Sequence, residues 1–132
     1  MLRLSKKMLF AIEAVLDIAY HAGGETVQSR EITRRQGIPR RYLEQVLQAL
    51  VRNGILAGQR GPKGGYRLAR PPAKISLLDI VLAVEGPDPA FRCNEIRRRG
   101  PNPPPARMFA RPCVINAAML RAERAYRAEL QR

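Results

Sequence analysis

The residues with the most chemistry to offer are a face of arginine and glutamine, a basic glycine-rich reversal and two cysteines. Arg41, Gln45, Gln48 and Arg52 recur at steps of four, three and four, which places them on one side of a helix, opposite the stripe Leu43, Val46, Leu47 and Leu50. Arg and Gln side chains make paired hydrogen bonds to the guanine and adenine edges displayed in the major groove of DNA. Arg40, Arg41 and Tyr42 fall in the first turn of that helix, the part a recognition helix inserts first. By itself the same pattern also describes a solvated amphipathic face, so its neighbours decide its meaning.

Downstream, Gly61, Pro62, Lys63, Gly64 and Gly65 separate two short strand candidates, 55–60 and 66–69, and a β-hairpin with a basic tip is predicted. Arg60, Lys63 and Arg67 supply charge that neutralises phosphates, and the glycines leave room for a phosphate backbone to approach. The P-loop pattern ending in Gly-Lys-Ser/Thr is absent, which disfavours nucleotide hydrolysis. His21 has no second histidine or catalytic motif beside it and reads as structural, at the end of a helix where a cation suits the dipole. Cys93 and Cys113 lack Cys-x-x-Cys spacing and any cofactor motif, so a thiol-dependent redox enzyme ranks low and no enzyme is expected. A disulfide switch between them, favoured by neighbouring Arg92 and Arg111, stays open beside two inert thiols.

These groups need elements to position them. Met8, Ile12, Val15, Ala19 and Ala22 predict a first helix over 5–22, stopped by Gly23-Gly24. A short second helix begins near Gln28 or Ser29, with Ser29 the better cap by chemistry, and ends at Gly37. Pro39 suits the start of a third helix running to Asn53-Gly54. The joint Gln36-Gly37-Ile38-Pro39 is the short glycine turn of a helix-turn-helix, and a hairpin after it reads as a wing. Ser76 and Asp79 have capping-box spacing ahead of a fourth helix at about 77–85. Seven of the 27 residues from Gly86 to Pro112 are proline, so a long, partly mobile loop is expected there. Helical period returns over 112–132, with Ile115, Met119, Ala122, Tyr126 and Leu130 on one side.

The whole chain has 132 residues, 45% hydrophobic and 27% charged, enough for one ordinary domain folding on its own core. Its 24 Lys and Arg against 11 Asp and Glu leave a net charge of +13, which implies a polyanionic partner, nucleic acid ahead of a membrane surface. The apolar run after Lys6-Lys7 is broken by Glu13 and Asp17, too early for a signal peptide or spanning helix, so a cytoplasmic protein with no membrane partner is expected. A rival reading is a basic RNA- or protein-interaction module working through Arg97 to Arg99 and the proline loop. With 5% aromatic residues and no Trp, the chain offers RNA few stacking platforms.

Taken in order, several pieces resemble the Rrf2 family of bacterial transcription regulators. They are Leu4-Ser5 with the helix behind them, Glu31-Ile32, Gly37-Ile38-Pro39, the run from Tyr42 to Leu47, Leu50, Gly54-Ile55-Leu56, Arg60-Gly61, the run from Gly64 to Ala69, Asp79-Ile80-Val81 and Val84-Glu85-Gly86. The resemblance covers roughly residues 4–86. It implies a mainly α fold with a small β-hairpin: a winged helix-turn-helix DNA-binding domain over 1–86, a loop over 87–111 as a sensor region, and a long C-terminal dimerisation helix over 112–132. It further implies a homodimer that binds double-stranded DNA at a palindromic operator and represses by occupying a promoter. Ser29, Arg30, Pro39, Arg40, Arg41, Tyr42, Gln45 and Gln48 are the expected DNA contacts on the helices, and Arg60, Gly61, Lys63, Gly64, Gly65 and Tyr66 those on the wing. Ile115, Met119, Ala122, Tyr126 and Leu130 are the expected dimer contacts, the same stripe packing on its own domain being the alternative.

Many members that this chain resembles hold an iron–sulfur cluster on three nearby cysteines before the last helix. Cys93 and Cys113 align in order with the first and last, the middle one is missing, and Asn116 stands roughly where a further ligand would be sought. Two thiolates fall short of the four protein ligands usual for a cluster. A cluster-independent regulator without a cofactor is therefore expected, responsive to a thiol reaction or a small molecule. The alternative is a cluster-sensing member whose partner subunit or an unusual side chain completes the site.

Overall fold

The computed structural model describes residues 4–88, 99–110 and 113–132, the Phe109 side chain excepted. The chain divides into two units, Met1–Gly86 and Pro87–Arg132. In the first unit Ser5 starts α1 (Lys6–His21), its hydroxyl oxygen accepting from the Met8 N–H at 3.1 Å. The same hydroxyl donates to the Glu85 carboxylate. The helix is where the hydropathy puts it, but its buried face is Met8, Ala11, Ala14, Val15 and Ile18. Ala19, expected inside, is exposed, while Ile12 and Ala22 are only half-buried. With apolar residues at most positions, steps of three and four can be chained through either face, and packing against the other helices selects one.

The second helix, α2 (Ser29–Gln36), takes Gln28 rather than Ser29 as its cap. The Gln28 N–H donates to the Glu31 carboxylate at 2.9 Å, so a side chain from the first turn satisfies a group that cap chemistry alone would assign to serine. Gly37 ends the helix at φ 69°, a left-handed conformation that glycine adopts without penalty. After Pro39, α3 (Arg40–Arg52) buries Leu43, Val46, Leu47, Ala49 and Leu50. A reversal at Asn53-Gly54 leads to the antiparallel pair β1 (Leu56–Gln59) and β2 (Gly65–Leu68), in the register Leu56 opposite Leu68 and Gln59 opposite Gly65. Of the expected strands, 55–60 is thus shortened by one residue at each end and 66–69 is shifted by one residue toward the tip.

A 3-10 turn, Pro72–Lys74, precedes α4 (Leu77–Glu85). Its capping box is present, with the Asp79 N–H donating to Ser76 Oγ at 3.0 Å and the Ser76 N–H to Asp79 Oδ2 at 2.9 Å. The core of this unit joins Ala11, Ala14, Ile18, Ile32, Leu43, Leu47, Leu50, Ile55, Leu56, Ile80 and Val84. Every helix contributes to it, and each buried Leu or Ile contributes about 1.5–3 kcal/mol of transfer free energy. This packing fixes α3 against α1 and α4.

In the second unit, Ala106–Phe109 form a 3-10 turn, the one regular element of the proline-rich stretch among its described residues. Cys113 caps α5 (Val114–Gln131). Near its C-terminal half the Arg127 guanidinium donates to the Pro87 carbonyl at 2.9 Å and to Glu123 at 3.0 Å. Cys93, Arg97 and Arg98 lie outside the described residues, as does Pro112. The described residues hold five α-helices and one two-stranded hairpin, the mainly α architecture with a wing expected from the sequence. No described helix is long and apolar enough to cross a membrane.

Candidate nucleic-acid interface

The face read from residue spacing is a real surface. Arg41, Gln45, Gln48 and Arg52 are all exposed on α3, while Leu43, Val46, Leu47 and Leu50 on its opposite side are buried. On one flank of this line a groove of about 890 Å³ runs between the start of α2, α3 and the hairpin. It is lined by Ser29 and Arg30, by Arg40, Gln48 and Arg52, and by Arg60, Gly61, Gly64, Gly65 and Tyr66. Four arginines face it and no acid lines it. Arg40 donates to Glu44 at 3.1 Å, a pair exposed enough to be exchanged at little cost for another anion.

On the other flank, Pro39, Tyr42 and Gln45 line a smaller cleft with the start of α1. The Tyr42 ring lies 6.2 Å from that of Phe10, tilted by 45°, and the Arg41 guanidinium lies 5.6 Å from the Tyr42 ring centre. The helix residues expected at DNA therefore divide: Ser29, Arg30, Arg40 and Gln48 line the groove, Pro39, Tyr42 and Gln45 line the cleft, and Arg41 is exposed on the same helix.

The hairpin tip is held from an unexpected direction. Val27 and Tyr66 exchange backbone hydrogen bonds of 2.8 Å in both senses, so the segment before α2 joins the hairpin edge. The Thr26 hydroxyl donates to the Lys63 carbonyl at 2.9 Å and the Gln28 side-chain amide to the Pro62 carbonyl at 3.4 Å. This leaves the Lys63 side chain exposed on an anchored backbone. Gly64 and Gly65, expected to make room for a phosphate, have an internal reason as well. A Cβ on Gly64 would collide with the Gln59 and Gly61 carbonyl oxygens, and one on Gly65 with the Val27 carbonyl.

Beneath the turn, α1 grips the end of α2. Arg35 donates to the buried Asp17 carboxylate through Nε at 2.9 Å and Nη2 at 2.8 Å, and Gln36 adds a third bond at 2.9 Å. Burial pushes the Asp17 carboxyl up. The hydrogen bonds from Arg35 and Gln36, with the charges of Arg35 and His21, outweigh that and hold it below its ordinary value. The Arg35 guanidinium is raised in turn, chiefly by the hydrogen bond to Asp17. Asp17, Thr26, Gln28 and Gln59 are the site-forming residues that sequence reasoning missed.

The donor set for a metal is sparse. Cys113 is half-buried at the start of α5, the chain's one other cysteine is Cys93, and among the described residues no three His, Cys, Asp or Glu side chains are grouped to hold a metal ion. An iron–sulfur cluster ordinarily takes four protein ligands, mostly thiolates, so the residues present do not fit one within a single chain. In α5, Ile115, Met119 and Ala122 are exposed and Tyr126 and Leu130 half-buried.

Comparison with known proteins agrees with this architecture. Residues 4–132 match the sequence model of the Rrf2 family, described as iron-dependent transcriptional regulators. The HTH-type transcriptional regulator IscR of Xenorhabdus nematophila is 39% identical over 92 residues, which span 70% of this chain and 56% of that protein. IscR of Vibrio cholerae is 40% identical over 93 residues, 70% of this chain and 54% of the relative. The chain thus spans little more than half the length of these relatives. Among solved structures, T. potens IscR superposes with a TM-score of 0.75 at 27% identity, covering 98% of this chain and 80% of that one. CymR, the global cysteine regulator of B. subtilis, gives 0.64 at 28% identity, covering 70% and 71%.

Proposed function

The chain belongs to the Rrf2 family of transcriptional regulators, which are not enzymes, and from that premise we propose that it binds double-stranded DNA sequence-specifically through α3 and the hairpin. The observation that carries this reading is the acid-free groove in which Arg30, Arg40, Arg52 and Arg60 converge beside the exposed line Arg41, Gln45, Gln48 and Arg52. Guanidinium groups along a groove suit a phosphate backbone, and Arg and Gln on the adjoining helix face suit base edges. Two copies joined through α5 present two such surfaces to a palindromic operator, and occupancy of a promoter in the cytoplasm represses it. The stretch 87–111 links the DNA-binding unit to the dimerisation helix at 112–132 and is where a signal acts.

The regulator works without an iron–sulfur cluster. The two cysteines of the chain support this, because they supply half of an ordinary ligand set. The test begins with protein purified without oxygen, assayed for iron and visible absorption, then used to select binders from a random duplex pool. The expected result is colourless, iron-free protein that enriches a palindromic motif. Stoichiometric iron with visible charge-transfer bands overturns cluster independence, and a pool without enrichment overturns sequence-specific binding.

A further inference from the structure

We infer that Lys6 and Lys7, at the start of α1, are a second phosphate-binding flank, gripping the DNA strand on the side of α3 opposite the hairpin. The inference rests on the DNA-binding reading above and adds a contact surface to it. A helix lying in the major groove, about 12 Å wide, has a phosphate backbone on each side. The arginine groove of this chain serves only one side, that of the hairpin. On the other, Lys6, Lys7 and Phe10 of α1 face Pro39, Tyr42 and Gln45 across a cleft of about 310 Å³.

Three features make this cleft suited to an anion at the edge of a duplex. Lys6 and Lys7 are exposed, neither has an ion pair with a described residue, and no acid lines the cleft. Glu85, the acid that touches the start of α1, accepts from the Ser5 hydroxyl and lies outside the lining. The cleft is also fixed relative to α3, because the Phe10 ring packs on Tyr42 at 6.2 Å. When Tyr42 and Gln45 approach the bases, the two ammonium groups are carried to the adjoining backbone. Ammonium groups on flexible stems act there as point charges, so they add affinity and register without reading sequence.

The test measures the salt dependence of binding to the selected palindrome and to an unrelated duplex, for the parent, Lys6→Gln/Lys7→Gln and Lys63→Ala. Each phosphate contact contributes about 0.9 to the slope of log K against log salt, so the double variant should lose about two units per bound chain. Its affinity should fall by a similar factor on both duplexes, with an unchanged melting temperature, and Lys6→Arg/Lys7→Arg should restore the slope. An unchanged slope in the double variant, while Lys63→Ala loses its unit, overturns the lysine flank and leaves DNA binding intact. A loss confined to the palindrome overturns it also, since the lysines would then be reading bases. Absence of any salt-dependent binding by the parent overturns the DNA-binding reading itself.

Discussion

Arg41 and Lys63 carry the same charge in positions that ask different things of it. Arg41 is exposed on the line of α3 that faces away from the core, where a planar fork can pair with a guanine edge. Arg41→Ala should weaken binding to the selected motif by about 1–3 kcal/mol and relax preference at one base pair of each half-site. A repeat of the duplex selection checks this, and a motif as sharp as the parent's rules out base reading by Arg41. Lys63 rides on the hairpin tip, whose backbone is anchored by Thr26. Lys63→Ala should weaken all duplexes alike and lower the salt slope by about one unit, which a titration at several salt concentrations measures. The arginine and glutamine face was legible because spacing alone decides which side of a helix a residue occupies. Thr26 and Gln28 were not, since their bonds reach partners 37 and 34 residues away. The glycines at 64 and 65 were legible as a turn, but the backbone crowding that demands them is visible only in three dimensions.

Among the elements, the helix-turn-helix is held by more than its turn. Asp17 looked in the sequence like a break in an apolar run. Folded, it is the buried acceptor that ties α1 to Arg35 and Gln36 immediately before Gly37. Periodicity misses it because a charge is ordinarily assigned to the solvent face, and only the arriving Arg35 makes burial tolerable. The same dependence on packing explains the rotated face of α1, whereas α4 was legible because its capping box is local. The folded Asp17 carboxyl is held below its ordinary value of 3.8. Its stabilising contribution is therefore present above that value and is lost as pH falls through the lower folded one. Asp17→Ala should destabilise the protein by about 3 kcal/mol at neutral pH, the low end for breaking a buried pair, because Arg35 keeps partial exposure. Denaturant unfolding of parent and variant should show the gap narrowing below about pH 4. A gap independent of pH would mean that packing, and not the carboxylate charge, sets the effect.

For the whole molecule, the net charge of +13 implies a polyanionic partner without locating it, and six of the cationic side chains line the groove and the cleft beside α3. One chain covers its last helix only in part. None of the 18 residues of α5 is buried, and Val114, Ile115 and Met119 remain 81%, 64% and 44% exposed. Apolar residues left open along one helix are removed from water when two copies meet about a twofold axis. In the proposed dimer the same axis relates two α3 helices, so pairing and operator symmetry become one property. Binding the first half-site then confines the second reading surface near its own half-site, and affinity rises through effective concentration without new contacts. Met119→Glu places a charge in the proposed seam and should convert a dimer at micromolar concentration into a monomer by sedimentation. The variant should lose about a hundredfold or more in affinity for the palindrome while keeping its affinity for an isolated half-site, in keeping with the avidity of linked sites. Equal losses on both duplexes would place the damage in the DNA-binding unit, and a dimer that survives the substitution would move the seam away from Met119.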